Sequence, residues 1–156
     1  MIGEVAIKSE SNMLGYWGND EATSDCMNDE GWFKSGDMGK FDGPFLHIVD
    51  RIKDMVIRGG ENIACPEVEN AIYKHPDVLE ACVFGIPDER LGELLCASIF
   101  LKDNSTLNEE TLKEFLVDKL AAFKIPAIIK FSKKNLPLVA SGKFNKPKLR
   151  EKFMNM

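Results

Sequence analysis

Two nearly continuous apolar runs, Val78–Ile86 and Leu94–Leu101, constrain the fold of this chain more than any other feature of its sequence. A strand with one solvated face alternates apolar and polar residues, whereas a strand covered on both faces is apolar at almost every position. Both runs are therefore predicted to be central strands of a sheet that has other structure packed on each face.

A helix is predicted on each side of these two runs. Pro66–Lys74 has a proline suited to the first helical turn, and Asn108 is an N-cap for a second helix. Each helix carries one apolar face, formed by Val68, Ala71, Ile72, Leu112, Phe115, Leu116 and Leu120. Shorter elements are predicted at Met55–Ile57 and Ile128–Phe131, both strands, and at Pro147–Phe153, a helix.

The part of the chain before about residue 50 has a different character, rich in Gly, Asn and Asp. Strands are predicted at Gly3–Ser9, Gly36–Phe41 and Phe45–Val49, the last two joined by the turn dipeptide Asp42-Gly43, whereas Ser11–Glu30 is polar and turn-rich. This half has too few apolar residues to close a core by itself. The predicted fold class is α+β: a small mixed sheet with helices packed on it, preceded by a β-rich segment.

Charge and cysteine usage exclude several classes of function. The net charge is −5 and the acidic residues are dispersed, so we expect no nucleic-acid partner. No apolar run is long enough for a transmembrane segment. The four cysteines show no close pairing and the two histidines lie far from any C-x-x-C, so no metal site is expected and a reducing, cytoplasmic setting is predicted. The four cysteines are Cys26, Cys65, Cys82 and Cys96.

The C-terminal tail is a local basic exception to this acidic balance. Its cations are Lys143, Lys146, Lys148, Arg150 and Lys152. Such a series is either a solvated helix face or a surface that faces phosphate. The sequence leaves both interpretations open.

Two polar segments in the first half of the chain carry candidate nucleotide-binding side chains. In Gly31-Trp32-Phe33-Lys34-Ser35-Gly36-Asp37 a carboxylate follows a glycine at the mouth of a strand, where it can accept hydrogen bonds from both hydroxyls of a ribose. The alternative is an ordinary turn. Asp50-Arg51-Ile52-Lys53-Asp54 is either a solvated connector or a hinge. As a hinge it would have Arg51 on a ribose or phosphate oxygen and Lys53 at the pivot.

Two segments in the second half contain small residues in a row. The glycines of Arg58-Gly59-Gly60-Glu61-Asn62-Ile63 let a backbone pass close to a ligand, or simply form a tight strand-to-helix loop. Leu136–Lys143 ends in a lysine after Ser-Gly, a point charge that a mobile loop can bring to a phosphate or carboxylate. Neither segment has the spacing of a dinucleotide-binding or Walker A loop.

The order and spacing of these segments resemble the C-terminal third of the adenylate-forming enzymes, which include acyl- and aryl-CoA synthetases, firefly luciferase and peptide-synthetase adenylation domains. The resemblance runs from about Gly3 to Arg150, nearly the whole chain. It also takes in Gly-Tyr-Trp, Pro-Glu-Val-Glu, Phe-Lys-x-Pro and Leu-Pro-x-x-x-Ser-Gly-Lys. It implies that residues 1–52 are a β-rich remnant of the large N-terminal domain and residues 53–156 a mobile C-terminal lid domain.

The resemblance also implies a two-step reaction. A carboxylic acid attacks the α-phosphate of ATP, which arrives with Mg²⁺, and the CoA thiol then displaces AMP from the acyl-adenylate. In such an enzyme Lys143 would be catalytic, bridging the substrate carboxylate and the α-phosphate. Asp37 would bind the ribose hydroxyls, Arg51 would contact ribose or phosphates, and Lys53 would be the hinge.

For the second step, the resemblance implies that Gly59 and Gly60 line the pantetheine tunnel, with Glu61 and Asn62 beside it. The Gly-Gly-Glu-Asn-Ile sequence resembles fatty-acyl, aryl and carnitine-like CoA ligases and favours CoA as the acceptor. One alternative is an adenylation domain that loads a carrier protein; another is a stand-alone, non-catalytic docking module. Because the ATP phosphate loop and acyl pocket precede this region in the family, the chain is expected to need the missing N-terminal domain for activity.

Overall fold

The computed structural model describes residues 2–155 and divides into two compact units, the first ending at Lys53 and the second beginning at Asp54. The chain therefore changes from one unit to the next within the Asp50–Asp54 segment. That the first unit is a remnant of a larger domain stays a prediction. No helix within residues 2–155 has both the length and the apolar character needed to cross a bilayer.

The first unit is a three-stranded antiparallel sheet in the order β1-β2-β3. Its elements are β1 (Ile2–Ile7), α1 (Asp20–Cys26), β2 (Phe33–Asp42) and β3 (Phe45–Arg51). Asp42 pairs with Phe45 and Gly43 has φ +57°, so the predicted hairpin at Asp42-Gly43 is confirmed.

Helix α1 lies in the segment that was predicted to be polar and turn-rich. Asn19 caps it by accepting a hydrogen bond from the Ala22 N–H at 3.0 Å, and Asp20 and Glu21 occupy the first turn, where acidic residues favour the helix dipole. The helix buries none of its residues, so the sequence has no apolar periodicity that would indicate a helix. The expectation of turns alone was wrong here because the signals for α1 are capping and charge.

The first unit buries no large apolar side chain among residues 2–53. Several are instead fully or largely exposed, among them Leu14 at 101%, Trp17 at 102% and Phe41 at 73%. The hydrophobic contribution to its stability is therefore small, in line with the prediction that this half cannot close a core.

The second unit is a mixed sheet with three helices packed on it. Its elements are β4 (Val56–Arg58), β5 (Glu61–Ile63), α2 (Cys65–Tyr73), β6 (Val78–Asp88), β7 (Gly92–Leu101), α3 (Glu109–Val117), β8 (Ile128–Ser132) and α4 (Lys146–Met154). The strand order is β5-β4-β7-β6, and β8 pairs with β7 in parallel, whereas the other pairs are antiparallel. The predicted α+β class with a mixed sheet is confirmed.

Strands β6 and β7 are covered on both faces, as their apolar composition predicts. Ala81 and Val83 face one core, which includes residues of α2 and α3, while the alternate residues Cys82, Phe84 and Ile86 face a second core with residues of α4. The main chain of β6 and β7 is therefore the layer that joins the two cores.

Side chains from two helices cover the outer edge of β6. The Tyr73 hydroxyl accepts a hydrogen bond from the Ala81 N–H at 3.0 Å, and Glu69 Oε1 accepts one from the Val83 N–H at 2.8 Å. Arg150 Nε donates to the Gly85 carbonyl at 3.0 Å. An uncovered edge strand invites pairing with another chain, and these bonds remove that possibility while fixing α2 and α4 to the sheet.

The buried thiols of β6 and β7 should resist thiol reagents. Desolvation raises the pKa of Cys82 to about 12 and that of Cys96 to about 11, so the reactive thiolates are almost absent at pH 8. We expect both to remain unlabelled by a maleimide in the native chain and to react fully in urea, as mapped by mass spectrometry. The half-buried Cys26 is the internal reference. Native labelling of Cys82 or Cys96 as fast as in urea would contradict the burial of β6 and β7.

Candidate functional site

In the first unit the structure brings Asp37 and Arg51 together on paired strands. They are register partners of β2 and β3, and Arg51 Nε lies 3.2 Å from Asp37 Oδ1. The Arg51 side chain is 52% exposed and that of Asp37 30%, so the ion pair is partly solvated and weak, worth about 1 kcal/mol or less. A ligand that donates hydroxyl hydrogen bonds to the Asp37 carboxylate can therefore displace the Arg51 side chain at a small cost in free energy.

Ser35 and Gly36 hold Asp37 in place. The Ser35 hydroxyl donates to the Val5 carbonyl at 2.8 Å and accepts from the Asp37 N–H at 3.1 Å. Gly36 has φ +74°, a left-handed conformation that a residue with a Cβ adopts only with strain. Within β2, the Ser35 hydroxyl therefore fixes the main chain from which the Asp37 carboxylate projects.

A pocket of about 380 Å³ lies beside this bend, within the first unit. It is lined by Tyr16, Ser35, Gly36, Arg51, Ile52 and Lys53. This cavity thus brings together Arg51, a predicted nucleotide-site residue, and Lys53, the predicted hinge. Asp37 contacts Arg51. Lys53 is the last residue of the first unit and lies in a 3₁₀ turn, Ile52–Asp54. Its role as hinge stays a prediction.

In the second unit Gly59 and Gly60 form the two-residue turn of a hairpin. Arg58 of β4 pairs with Glu61 of β5, and the glycines have φ +59° and +86°. Two positive φ values in a two-residue loop are the conformation that glycines adopt most readily. The alternative of a strand-to-helix loop was wrong: β5, only three residues long with exposed Glu61 and Asn62, precedes α2. Apart from its two chain neighbours, no atom of residues 2–155 lies within 4 Å of a Cβ built on Gly60.

Glu93, which the sequence analysis did not select, fastens this hairpin to the sheet. Strand β4 pairs with β7 at Arg58 and Gly92. Next to that pair, Glu93 Oε2 accepts a hydrogen bond from the Ile57 N–H at 2.7 Å. The Gly59 N–H adds a bond to the Leu91 carbonyl at 2.7 Å. The position of the Gly-Gly turn is thus set by β7 and the turn before it.

Gly85 provides the space that the Glu93 carboxylate occupies. A Cβ built on Gly85 would lie 2.6 Å from Glu93 Oε1 and 2.8 Å from its Cδ. The sequence signal that could have revealed this contact is the glycine itself, because a glycine inside a buried strand marks a close approach.

Replacing Gly85 with alanine should therefore displace Glu93 from the Ile57 N–H. We expect Gly85→Ala and Glu93→Ala each to destabilise the second unit by about 1–3 kcal/mol, the range for a hydrogen bond to a charged group. The double variant should lose little more than either single one, because both remove the same bond. Urea unfolding of the three variants and the original chain gives the coupling energy. Fully additive losses would contradict the shared bond.

Lys143 lies on a second, separate hairpin of the same unit. Leu138 and Phe144 form a β-bridge, Val139 N–H donates to the Lys143 carbonyl at 2.8 Å, and Gly142 N–H donates to the Val139 carbonyl at 2.9 Å. Gly142 has φ +81°, so the Ser-Gly dipeptide makes the turn before the lysine. The loop expected from the sequence is thus a hydrogen-bonded hairpin, and the Lys143 side chain is exposed.

The base of the Lys143 hairpin is joined to α4. Asn145 N–H donates to the Pro137 carbonyl at 2.7 Å, and its side chain caps the helix by accepting from the Lys148 N–H at 3.1 Å. The neighbouring Lys146 is half-buried. α4 therefore carries the hairpin as a rigid extension of the packed helix.

The groups around Lys146 determine its charge state. Burial disfavours its charge, but electrostatic interactions with Cys65, Glu69, Cys82 and Asp54 outweigh this effect and raise the pKa of Lys146 above its ordinary value. It therefore stays charged at neutral pH. This cation of the basic tail therefore interacts with residues of α2 and β6 and does not belong to a fully solvated helix face.

Comparison with known proteins places these features in one family. Residues 67–143 match the family model described as "AMP-binding enzyme C-terminal domain". The medium-chain acyl-CoA ligase ACSF2, mitochondrial, of Rattus norvegicus is 45% identical over 97% of this chain, and the feruloyl-CoA synthase of an Amycolatopsis species is 42% identical over 97%. This chain spans 25% and 30% of the length of these two relatives.

Solved structures agree with this similarity. ATP-bound MatB from Rhodopseudomonas palustris superposes with a TM-score of 0.90 at 35% identity, over 98% of this chain and 30% of that one. The amide bond synthetase McbA from Marinactinospora thermotolerans gives 0.86 at 34%, over 98% of this chain and 31% of that one. The chain thus has the fold of adenylate-forming enzymes over nearly its whole length, and its residues 67–143 belong to the family of their C-terminal domains.

Proposed function

We propose that this chain is the C-terminal part of an AMP-forming acyl-CoA synthetase, which activates a carboxylic acid with ATP and transfers the acyl group to CoA. The observation that carries the proposal is the pair of hairpins on the second unit. One presents an exposed lysine and the other presents two residues without side chains. Each fits one half-reaction.

For the first half-reaction, Lys143 has the right chemistry. Adenylation brings a carboxylate and a phosphate together, and negative charge increases as the bond forms, so a cation supplied at that point stabilises the transition state. Asp37 and Arg51 would hold the ribose and phosphates of ATP, the first through its carboxylate oxygens and the second as a cation. Mg²⁺ would enter with the ATP phosphates.

For the second half-reaction, the turn leaves open space at Gly60, whereas a Cβ built on Gly59 would lie 3.5 Å from Leu91 Cδ2. A pantetheine arm is thin and flexible, and such a turn would let its thiol approach the acyl-adenylate. Glu61 and Asn62 would flank this path, since both are exposed on β5 beside the turn. Lys53, at the end of the first unit, is the proposed pivot that presents the two hairpins in succession.

A chimera tests the proposal. This chain would replace the matching C-terminal quarter of the rat medium-chain acyl-CoA ligase, which it resembles at 45% identity. We expect the chimera to release pyrophosphate and form a CoA thioester with a medium-chain acid, and the same chimera carrying Lys143→Ala to lose pyrophosphate release. A folded chimera that forms no acyl-adenylate would contradict the proposal.

The acceptor must be tested separately, because McbA, an amide bond synthetase, shares the fold. The chimera would be supplied in turn with CoA, a primary amine and a phosphopantetheinylated carrier protein. We expect the thioester with CoA to dominate. Products with the amine or the carrier protein alone would reassign the acceptor while leaving the adenylation step intact.

The cytoplasmic setting remains a prediction.

A further inference from the structure

A pocket of about 500 Å³ lies between β8, the segment after it and α4, all within the second unit. Four lysines line it: Lys130, Lys134, Lys148 and Lys152. The buried residue Ser98, which is 6% exposed, also lines it. Neither proposed half-reaction uses any of these side chains.

The pocket concentrates positive charge. Its lining within residues 2–155 contains no aspartate or glutamate. Glu80 lies beside the pocket, because its two carboxylate oxygens accept hydrogen bonds from two lining residues, Asn135 through Nδ2 and Leu136 through its N–H, each at 2.6 Å. The four lysines outnumber this single carboxylate. Lys130 Nζ lies 4.0 Å from the centre of the Phe153 ring and 3.4 Å from the Lys152 carbonyl, which holds its ammonium against the end of α4.

Helix geometry separates the basic tail into two stripes with different uses. Lys146 and Arg150, four residues apart, serve the α2 and β6 side of the helix, where Arg150 binds the Gly85 carbonyl. Lys148 and Lys152, also four residues apart, line the pocket. Like charges at this spacing repel each other and destabilise a helix. An anion between them would turn that repulsion into attraction.

We propose that this pocket binds a small phosphate-bearing anion. Lysine ammonium groups bind phosphate as point charges, and cations contributed by both β8 and α4 can surround a multiply charged group. The concave shape favours a small molecule over a flat anionic surface. Because Leu136 and Pro137 also line the pocket, and the Pro137 carbonyl accepts the Asn145 N–H, a bound anion would lie beside the base of the Lys143 hairpin.

The test uses the full chain and two soluble probes, inorganic phosphate and pyrophosphate, titrated while amide and lysine NMR signals are followed at about 50 mM salt. We expect saturable shifts centred on the four lysines, stronger with pyrophosphate. The double variant Lys148→Gln/Lys152→Gln should weaken pyrophosphate binding at least tenfold. The control Lys74→Gln/Lys102→Gln removes the same charge from exposed positions elsewhere and should change it less than twofold. Raising the salt to about 0.5 M should weaken binding, because the charges are partly solvated.

Three results would overturn the proposal. One is the absence of saturable shifts at millimolar pyrophosphate, and another is equal weakening by the control variant. The third concerns the source of phosphate and uses vesicles of phosphatidylcholine that contain phosphatidylglycerol. If the chain sediments with these vesicles while soluble pyrophosphate gives no shifts, the lysines bind a lipid surface. A Lys148→Arg/Lys152→Arg variant that retains pyrophosphate binding would show that charge, and not a change in folding, accounts for the loss with glutamine.

Discussion

Replacing Lys143 with alanine in the longer enzyme to which we assign this chain should lower the rate of acyl-adenylate formation about a hundred- to a thousand-fold, the cost of removing one stabilising group from a preorganised site. The lysine is exposed on the turn of a hairpin whose backbone bonds do not involve its side chain. The substitution should therefore leave the fold unchanged. Thioester formation from supplied acyl-adenylate should be nearly unaffected, because that step has no carboxylate and α-phosphate to join.

Two assays separate these steps: pyrophosphate exchange for adenylation, and release of CoA thioester from purified acyl-adenylate for the second. Lys74→Ala, which removes an exposed lysine at the end of α2, is the matched control and should change neither. Equal losses of both activities in the Lys143 variant would contradict its assignment to the first step, since an effect limited to the transition state of one reaction cannot slow the other.

The sequence predicted the second unit well because its signals are hydrophobic. The continuous apolar runs correspond to β6 and β7, which have buried residues on both faces. Asn108 caps α3 through a reciprocal capping box with Thr111. Where packing determines the structure, the pattern of apolar residues is sufficient to locate the element.

The elements that the sequence analysis missed have polar signals. Helix α1 has no buried face, and β5 is three residues long with two of them polar and exposed. Glu93 gave no signal of its own, because a single glutamate beside a strand resembles any solvated residue. Its contact with the Ile57 N–H depends on tertiary geometry that joins residues 36 positions apart. Of the candidate site, the sequence predicted the residue types, and the structure added the hairpins that hold them.

Replacing Gly60 with leucine in the same longer enzyme should have the opposite effect to the Lys143 variant. Thioester formation should fall at least tenfold, or about 1.4 kcal/mol in the barrier, while pyrophosphate exchange is retained. The leucine side chain would enter the open space beside the turn, where no atom of residues 2–155 beyond the two chain neighbours lies within 4 Å of the new Cβ, and obstruct a pantetheine arm passing there. It would also strain the backbone, because φ at this residue is +86°.

Gly60→Asn separates obstruction from strain. Asparagine has as many side-chain heavy atoms as leucine but tolerates the left-handed conformation better, so it should obstruct the path with less strain on the hairpin. If obstruction is the cause, both variants lose thioester formation; if strain is the cause, the leucine variant alone loses it, and circular dichroism should show its weaker fold. Unchanged thioester yield in both would mean that the glycines serve only the turn between β4 and β5. That outcome would remove the proposed pantetheine path and leave the assignment of Lys143 to adenylation untouched.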